Sequence, residues 1–188
     1  GRTERTDALS AAFLNAASSN VFDFDDTHLQ TVIHPTSPVA PALFALAERQ
    51  HVSGRELLLA FALGVEAECR IGIALSPRHY TRGWHITSTC GVFGAAVAAG
   101  KILRLDIERM VWAMCAAATQ SSGLAECLGT ASKSISVGNS ARNGLWSAML
   151  AKDGLGGPAA PLEGKQGYFS AMGENPDWKA LISRLGES

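Results

Sequence analysis

Apolar residues recur every three or four positions through most of this chain, and nowhere alternate long enough to mark a strand. Asp7 to about Ser19 reads as an amphipathic helix with Leu9, Phe13, Leu14 and Ala17 on one side. Ser37 as cap and Pro38 as first helical residue open a second helix, through Val39, Leu43 and Leu46 to Arg49. Ser53-Gly54-Arg55-Glu56 is a capping box, with Val52 and Leu57 placed as a hydrophobic staple. The helix it starts runs to about Leu75, and Glu66, Glu68 and Arg70 predict one wet strip on it. A helix from about Thr87 to Leu103 is so rich in Gly and Ala that a neighbouring backbone can approach closely. Asp106 caps the next, to about Gln120, and Leu124–Leu128 suggests a short turn. Val137 to Lys152 is helical and closed by Gly154 at C′. Tyr168–Met172 is a short helix, and Asn175-Pro176 opens the last one, to Leu185. The expected fold class is all-α, in one domain spanning residues 1–188.

Composition narrows this picture. Hydrophobic residues make up 47% and aromatics only 7%, a balance that suits closely packed helices. A net charge of −1 without long runs of either sign offers no nucleic-acid surface. The longest uncharged run, Gly83 to Gly100, is too polar for a membrane span. Cys69, Cys90, Cys115 and Cys127 form no CxxC or zinc spacing and read as reduced thiols of a cytoplasmic protein. The polar start is not expected to be a secretory leader. With no initiator Met, the chain is expected to be a fragment or short form of a larger protein.

The chemistry concentrates in three stretches. The first is Asp23-Phe24-Asp25-Asp26-Thr27-His28, with His34-Pro35 close behind. It is either a solvated helix terminus or a site in which Asp23 holds a histidine in one tautomer and Thr27 donates to a substrate oxygen. A metal is a third option, but the spacing fits no defined cage, so no metal is expected. The second stretch places His85 at a helix start beside Thr87, Ser88 and Thr89, where N–H groups and hydroxyls can cradle an anion or simply cap the helix. The third is Lys133 near another helix start, where the macrodipole disfavours a cation and calls for a compensating anion. His51 and His79 read as surface residues.

Taken in order, these stretches resemble the MmgE/PrpD family, which includes 2-methylcitrate dehydratase, cis-aconitate decarboxylase and an iminodisuccinate epimerase. The resemblance rests on Asp23–His28 with His34-Pro35, on Gly83-Trp-His-Ile-Thr-Ser-Thr-Cys-Gly91 with Phe93-Gly94, and on Lys133 with Gly138–Gly144. Gly157-Pro158, Leu162-Glu163-Gly164 and Gly167-Tyr-Phe169 continue it. It implies a helical domain paired with a smaller α+β lid, a homodimer, and no metal or organic cofactor. In decarboxylase-like members, residues matching Asp23, Thr27, His34, His85 and Lys133 line the site. The lid is absent from this sequence.

The resemblance further implies proton transfer beside a carboxylate on a small di- or tricarboxylic acid. His85 and His34 would move the proton, Lys133 would bind a carboxylate, Asp23 would orient, and Thr27 and Thr87 would contact substrate. A 2-methylcitrate dehydratase-like lyase is the leading expectation. An epimerase or decarboxylase is the alternative, and a lidless non-catalytic subunit is a third reading. Asp23, His34, His85 and Lys133 are expected to converge on one concave pocket. The Gly/Ala-rich surface from Gly91 to Gly100 is expected to be left uncovered and to drive association.

Overall fold

Asp7 accepts the N–H groups of Leu9 and Ser10 at 2.9 and 3.0 Å and so begins α1, Ala8–Ser19. The computed structural model describes residues 4–187 and continues through α2 (Thr36–Ala47), α3 (Gly54–Leu75), α4 (Arg78–Thr81), α5 (Ile86–Ile102) and α6 (Ile107–Ala118). A 3₁₀ turn, Ala125–Cys127, precedes α7 (Ala131–Lys152), and two short helices follow, α8 (Tyr168–Met172) and α9 (Trp178–Ile182). The only β features among the described residues are two isolated bridges, His28 with Ile33 and Trp84 with Leu124. The fold is all-α, as its periodicity predicts.

Where a cap is local, the element starts where the sequence says. Ser53 and Glu56 close their capping box reciprocally, at 3.2 and 3.0 Å. Asp106 Oδ1 accepts the Arg109 N–H at 2.8 Å. Gly154 takes φ +95° just beyond α7, in the left-handed region that a side chain would strain. Other starts differ. α2 begins at Thr36, with Pro35 in the cap position and Pro38 and Pro41 inside the helix. α7 begins six residues before the expected Val137, which places Lys133 within its first turn. α9 starts at Trp178, capped by Asp177 rather than by Asn175.

α5 is the axis of the molecule, and its neighbours are α2, α3, α6 and α7. Every residue from Ile86 to Ala96 is buried, and so are Ala98, Ala99 and Gly100. Small residues make this possible. A Cβ on Gly64 of α3 would lie 2.6 Å from the carbonyl oxygen of Gly94, and one on Gly144 of α7 would lie 2.5 Å from that of Val92. Backbones therefore touch at both crossings, which brings the starts of α5 and α7 beside one another. The Gly91–Gly100 face is thus spent inside the chain, and the expected uncovered surface does not exist.

Two further expectations fail on α3 and α4. Glu66 and Arg70 do pair across one turn at 2.6 Å, but Glu68 between them is fully buried against Gly91 and Gly94. The strip is therefore half wet at most. His79 is not at the surface either. Its Nδ1 donates to the Met172 carbonyl at 2.9 Å, its Nε2 faces Thr89 Oγ1 at 2.7 Å, and its ring stacks on Trp84. It ties α4 to α5 and α8, and burial lowers its pKa.

Candidate active site

The α1–α2 loop is fixed by its own polar groups. Asp25 Oδ2 accepts from Asn20 Nδ2 at 2.8 Å and from Ser37 Oγ. Asp26 Oδ1 accepts the Thr36 N–H at 3.1 Å and supplies α2 with the cap that its neighbouring residues do not provide. His28 donates its N–H to the carbonyl of the fully buried Ile33 at 2.8 Å, and its Nδ1 lies 2.8 Å from Thr31 Oγ1. Held this way, the loop turns at Asp23, whose φ of +55° is left-handed.

That turn carries the Asp23 carboxylate onto the ammonium of Lys133, 110 residues away in sequence. The Lys133 side chain is only 7% exposed, whereas Asp23 is 63% exposed, so the pair lies at a boundary between core and solvent. The bond to Lys133, reinforced by the charges of Lys133 and His34, holds the Asp23 carboxyl below the usual carboxylate range. Asp23 is the anion that the position of Lys133 near a helix start demands. An ammonium has three protons, so one bond to Asp23 leaves two for a ligand.

His34 enters from the other end of the loop. Its N–H donates to Thr87 Oγ1 at 3.2 Å. Its Nδ1 faces the Asp26 carbonyl at 3.1 Å, an acceptor that requires the proton to sit on that nitrogen. Asp25 Oδ1 lies 3.2 Å from the same nitrogen without completing a hydrogen bond, and acts there through its charge. Thr27 Oγ1 is 3.4 Å from it. Nε2 is then left toward the site, 3.8 Å from Asp23 Oδ1.

His85 is the cap residue of α5, but its ring takes no part in capping. Its N–H donates to the Gly123 carbonyl at 3.1 Å, and Gly123 leaves no room for a Cβ, which would lie 2.8 Å from that of Ser88. Nδ1 lies 2.8 Å from Ser88 Oγ and 3.1 Å from Ser136 Oγ. Burial, and then the charges of Lys133 and His34, lower the His85 pKa to about 4, so the ring is neutral at pH 7.

The structure thus brings Asp23, His34, His85 and Lys133 together, with exposed Thr27 at the rim. The best-formed clefts of the molecule lie elsewhere. Clefts of about 220 and 510 Å³ open at the far end of α5, lined by residues such as His51, Glu56, Lys101, Arg104 and Lys152, and neither includes a member of this cluster. Thr87 is corrected as well. It is fully buried and engaged by the His34 N–H, so it positions His34 rather than meeting a substrate. The anion cradle expected at Thr87–Thr89 is closed for the same reason, since Ser88 serves His85 and Thr89 serves His79. Asp23, Asp25 and His34 present ligand atoms within 4.8 Å of one another, as a metal would need. The Lys133 ammonium already supplies positive charge at Asp23, which weighs against a metal cation there.

Sequence reasoning missed Asp25 as the group beneath His34, and Ser136 altogether. Ser136 follows Lys133 by three residues, one helical turn, and that spacing is the signal that could have found it.

The fold and the cluster define a helical domain that gathers two histidines, a lysine and an aspartate at the starts of two packed helices. The chain belongs to the MmgE/PrpD family, whose N-terminal domain matches residues 1–181. It is 34% identical to a cis-aconitate decarboxylase-like protein of Aspergillus oryzae, over 95% of this chain and 40% of that protein. It is 34% identical to a cis-aconitate decarboxylase of Aspergillus terreus, over 99% of this chain and 41% of the relative. It is 35% identical to a cis-aconitate decarboxylase of Homo sapiens, over 92% and 37%. The chain therefore spans about two fifths of the length of these relatives.

Proposed function

We propose that this chain supplies the acid–base half of a lyase that removes CO₂ from a small unsaturated tricarboxylic acid such as cis-aconitate. The observation that carries the proposal is the buried Lys133 ammonium paired with Asp23 beside the His34 ring. The relatives named above favour the decarboxylase over the dehydratase that led the sequence reading. Lys133 keeps Asp23 on one proton and takes a substrate carboxylate on the others. Each charge-assisted hydrogen bond of this kind contributes roughly 1.5–3 kcal/mol. When the C–CO₂ bond breaks, its electron pair stays on the substrate carbon and spreads toward a remaining carboxylate, where Lys133 stabilises it. The carbon must then gain a proton. His85 is held neutral, so that delivery is assigned to His34 in its imidazolium form, which gives up the Nε2 proton and is left neutral with its remaining proton on Nδ1, against the Asp26 carbonyl.

A second reading has one observation in its favour. A neutral His85 is what a dehydratase or epimerase needs as the base that abstracts a proton. One experiment separates the two. The intact protein is given cis-aconitate, and separately a citrate-like hydroxy acid, in D₂O. Release of CO₂ with one deuterium in the product supports the proposal. Water loss from the hydroxy acid without CO₂ release transfers the site to the second reading, and no turnover of either acid overturns both.

A further inference from the structure

The structure assigns Ser88 and Ser136 as positioning residues that lock His85 in its Nδ1–H tautomer and present Nε2 to the Asp23–Lys133 cluster as a proton acceptor. The inference rests on the reading of His85 as a member of the acid–base site, and it deepens that reading.

The direction of the chain follows by elimination. Ser136 Oγ lies 2.7 Å from the backbone carbonyl of Lys133. A carbonyl only accepts, so at that separation the proton between them is the one on Ser136. Ser136 has no second proton. Its 2.7 Å contact with Ser88 Oγ therefore takes the Ser88 proton. Ser88 is then an acceptor alone toward His85, and its 2.8 Å contact with Nδ1 requires the hydrogen to sit on that nitrogen. The relay reads His85 Nδ1–H to Ser88, Ser88 to Ser136, Ser136 to Lys133 O. The reversed order would leave two oxygens facing at 2.7 Å with no proton between them.

Three features keep the relay in one state. Ser88 is buried in the first turn of α5, and its own carbonyl accepts from Ser140 Oγ at 2.8 Å, so its backbone is pinned to α7. Gly123 presses on Ser88 and takes the His85 N–H, which leaves the ring little freedom to turn over. The last acceptor belongs to Lys133 itself, so the residue that holds the ammonium also ends the chain that orients the imidazole. His85 Nε2 has no hydrogen-bond partner among the described residues, which leaves its lone pair for a ligand. The lowered pKa of His85 is consistent with an acceptor that stays unprotonated at neutral pH.

The test is long-range ¹H–¹⁵N NMR of the His85 ring in the intact protein at pH 7, without substrate. The expected spectrum has a protonated, pyrrole-type Nδ1 and an unprotonated, pyridine-type Nε2. The opposite tautomer overturns the proposal. Two variants sharpen it. In Ser136→Ala, Ser88 loses its acceptor and is free to donate to Nδ1, so the ring is expected to switch to Nε2–H. In Ser88→Ala, Nδ1–H keeps Ser136 Oγ at 3.1 Å, and the tautomer is expected to hold. Ser136→Thr retains the hydroxyl and should restore the parent spectrum. A ring that ignores Ser136→Ala would show that the serines merely pack. Because the measurement needs no turnover, a wrong tautomer sinks the relay alone, and a failure to turn over either acid sinks the acid–base reading alone.

Discussion

Both carboxyl oxygens of Glu68 are buried without a hydrogen-bond partner among the described residues, and burial holds its pKa well above the ordinary range, with the Asp26 charge adding to the shift. The folded protein therefore keeps a proton here that the unfolded chain releases above about pH 4.5, and the residue costs stability as pH rises from there. Glu68→Met is expected to raise Tm, with a gain of about 1–3 kcal/mol that is larger at pH 8 than at pH 5. Unfolding curves at the two pH values check it. His85 works in the other direction. Its folded pKa of about 4 lies below the ordinary 6.5, so the unfolded chain takes up this proton first as pH falls. Stability from this group is complete above about pH 6.5 and is lost by about pH 4, an amount on the order of 3 kcal/mol. Urea titrations at pH 7 and pH 5 should show a loss that His85→Gln largely removes.

Among the helices, the crossing of α5 with α7 decides whether the site assembles, because each contributes one of its side chains from its start. Gly144→Val would push a branched side chain into Ala95 and the Val92 carbonyl. The expected cost is about 1–3 kcal/mol, read from the urea midpoint, with weakened ligand binding beside it because His85 and Lys133 shift apart. How far the sequence revealed the fold follows from where each element gets its cap. Ser53, Asp106 and Gly154 act within a few residues, and those boundaries could be read directly. α2 takes its cap from Asp26, ten residues ahead of the N–H it serves, and the Thr130 side chain makes no cap bond at α7, so neither start left a local trace. Site residues follow the same rule. Asp23, His34, His85 and Lys133 were legible because their residue types and order carry the chemistry. The Asp25 support and the Ser136 relay depend on contacts across 9 and 51 residues, and only the one-turn spacing of Ser136 from Lys133 pointed toward either. Glu68 and His79 were misread because helical periodicity reports an apolar face, while the small residues of α5 let polar groups be packed in as well.

For the whole molecule, the cluster is open at its rim. Phe22 and Phe24, which flank Asp23, are 87% and 96% exposed, and Leu29 in the same loop is equally bare. A proton-transfer site benefits from excluding water, and this apolar rim is where a covering surface would seat. A second copy of the chain, as the family resemblance implies, or a segment such as those that make up the remaining length of the relatives, would supply it. Phe22→Ser with Phe24→Ser should leave stability within about 0.5 kcal/mol, because these rings bury almost nothing in the chain, while kcat/KM of the intact protein falls at least tenfold. A Tm that drops along with activity would return the two rings to a purely structural role. Among the described residues no helix is long and apolar enough to cross a membrane.

If Asp23, His34, His85 and Lys133 form one anion-binding acid–base site, a polycarboxylate should prefer it to the other cationic place on the molecule. The cleft at the far end of α5 also carries positive charge, from Arg104 and Lys152 beside His51. Titration of the protein with citrate, followed by NMR of the histidine rings and lysine ammonium groups, reports both places in one experiment. His34, His85 and Lys133 are expected to move together with a single Kd, roughly millimolar for two or three charge-assisted bonds less the cost of association, and Lys133→Ala should abolish the shifts. Shifts confined to His51 and Lys152, with His34 and His85 unmoved, would contradict that shared site.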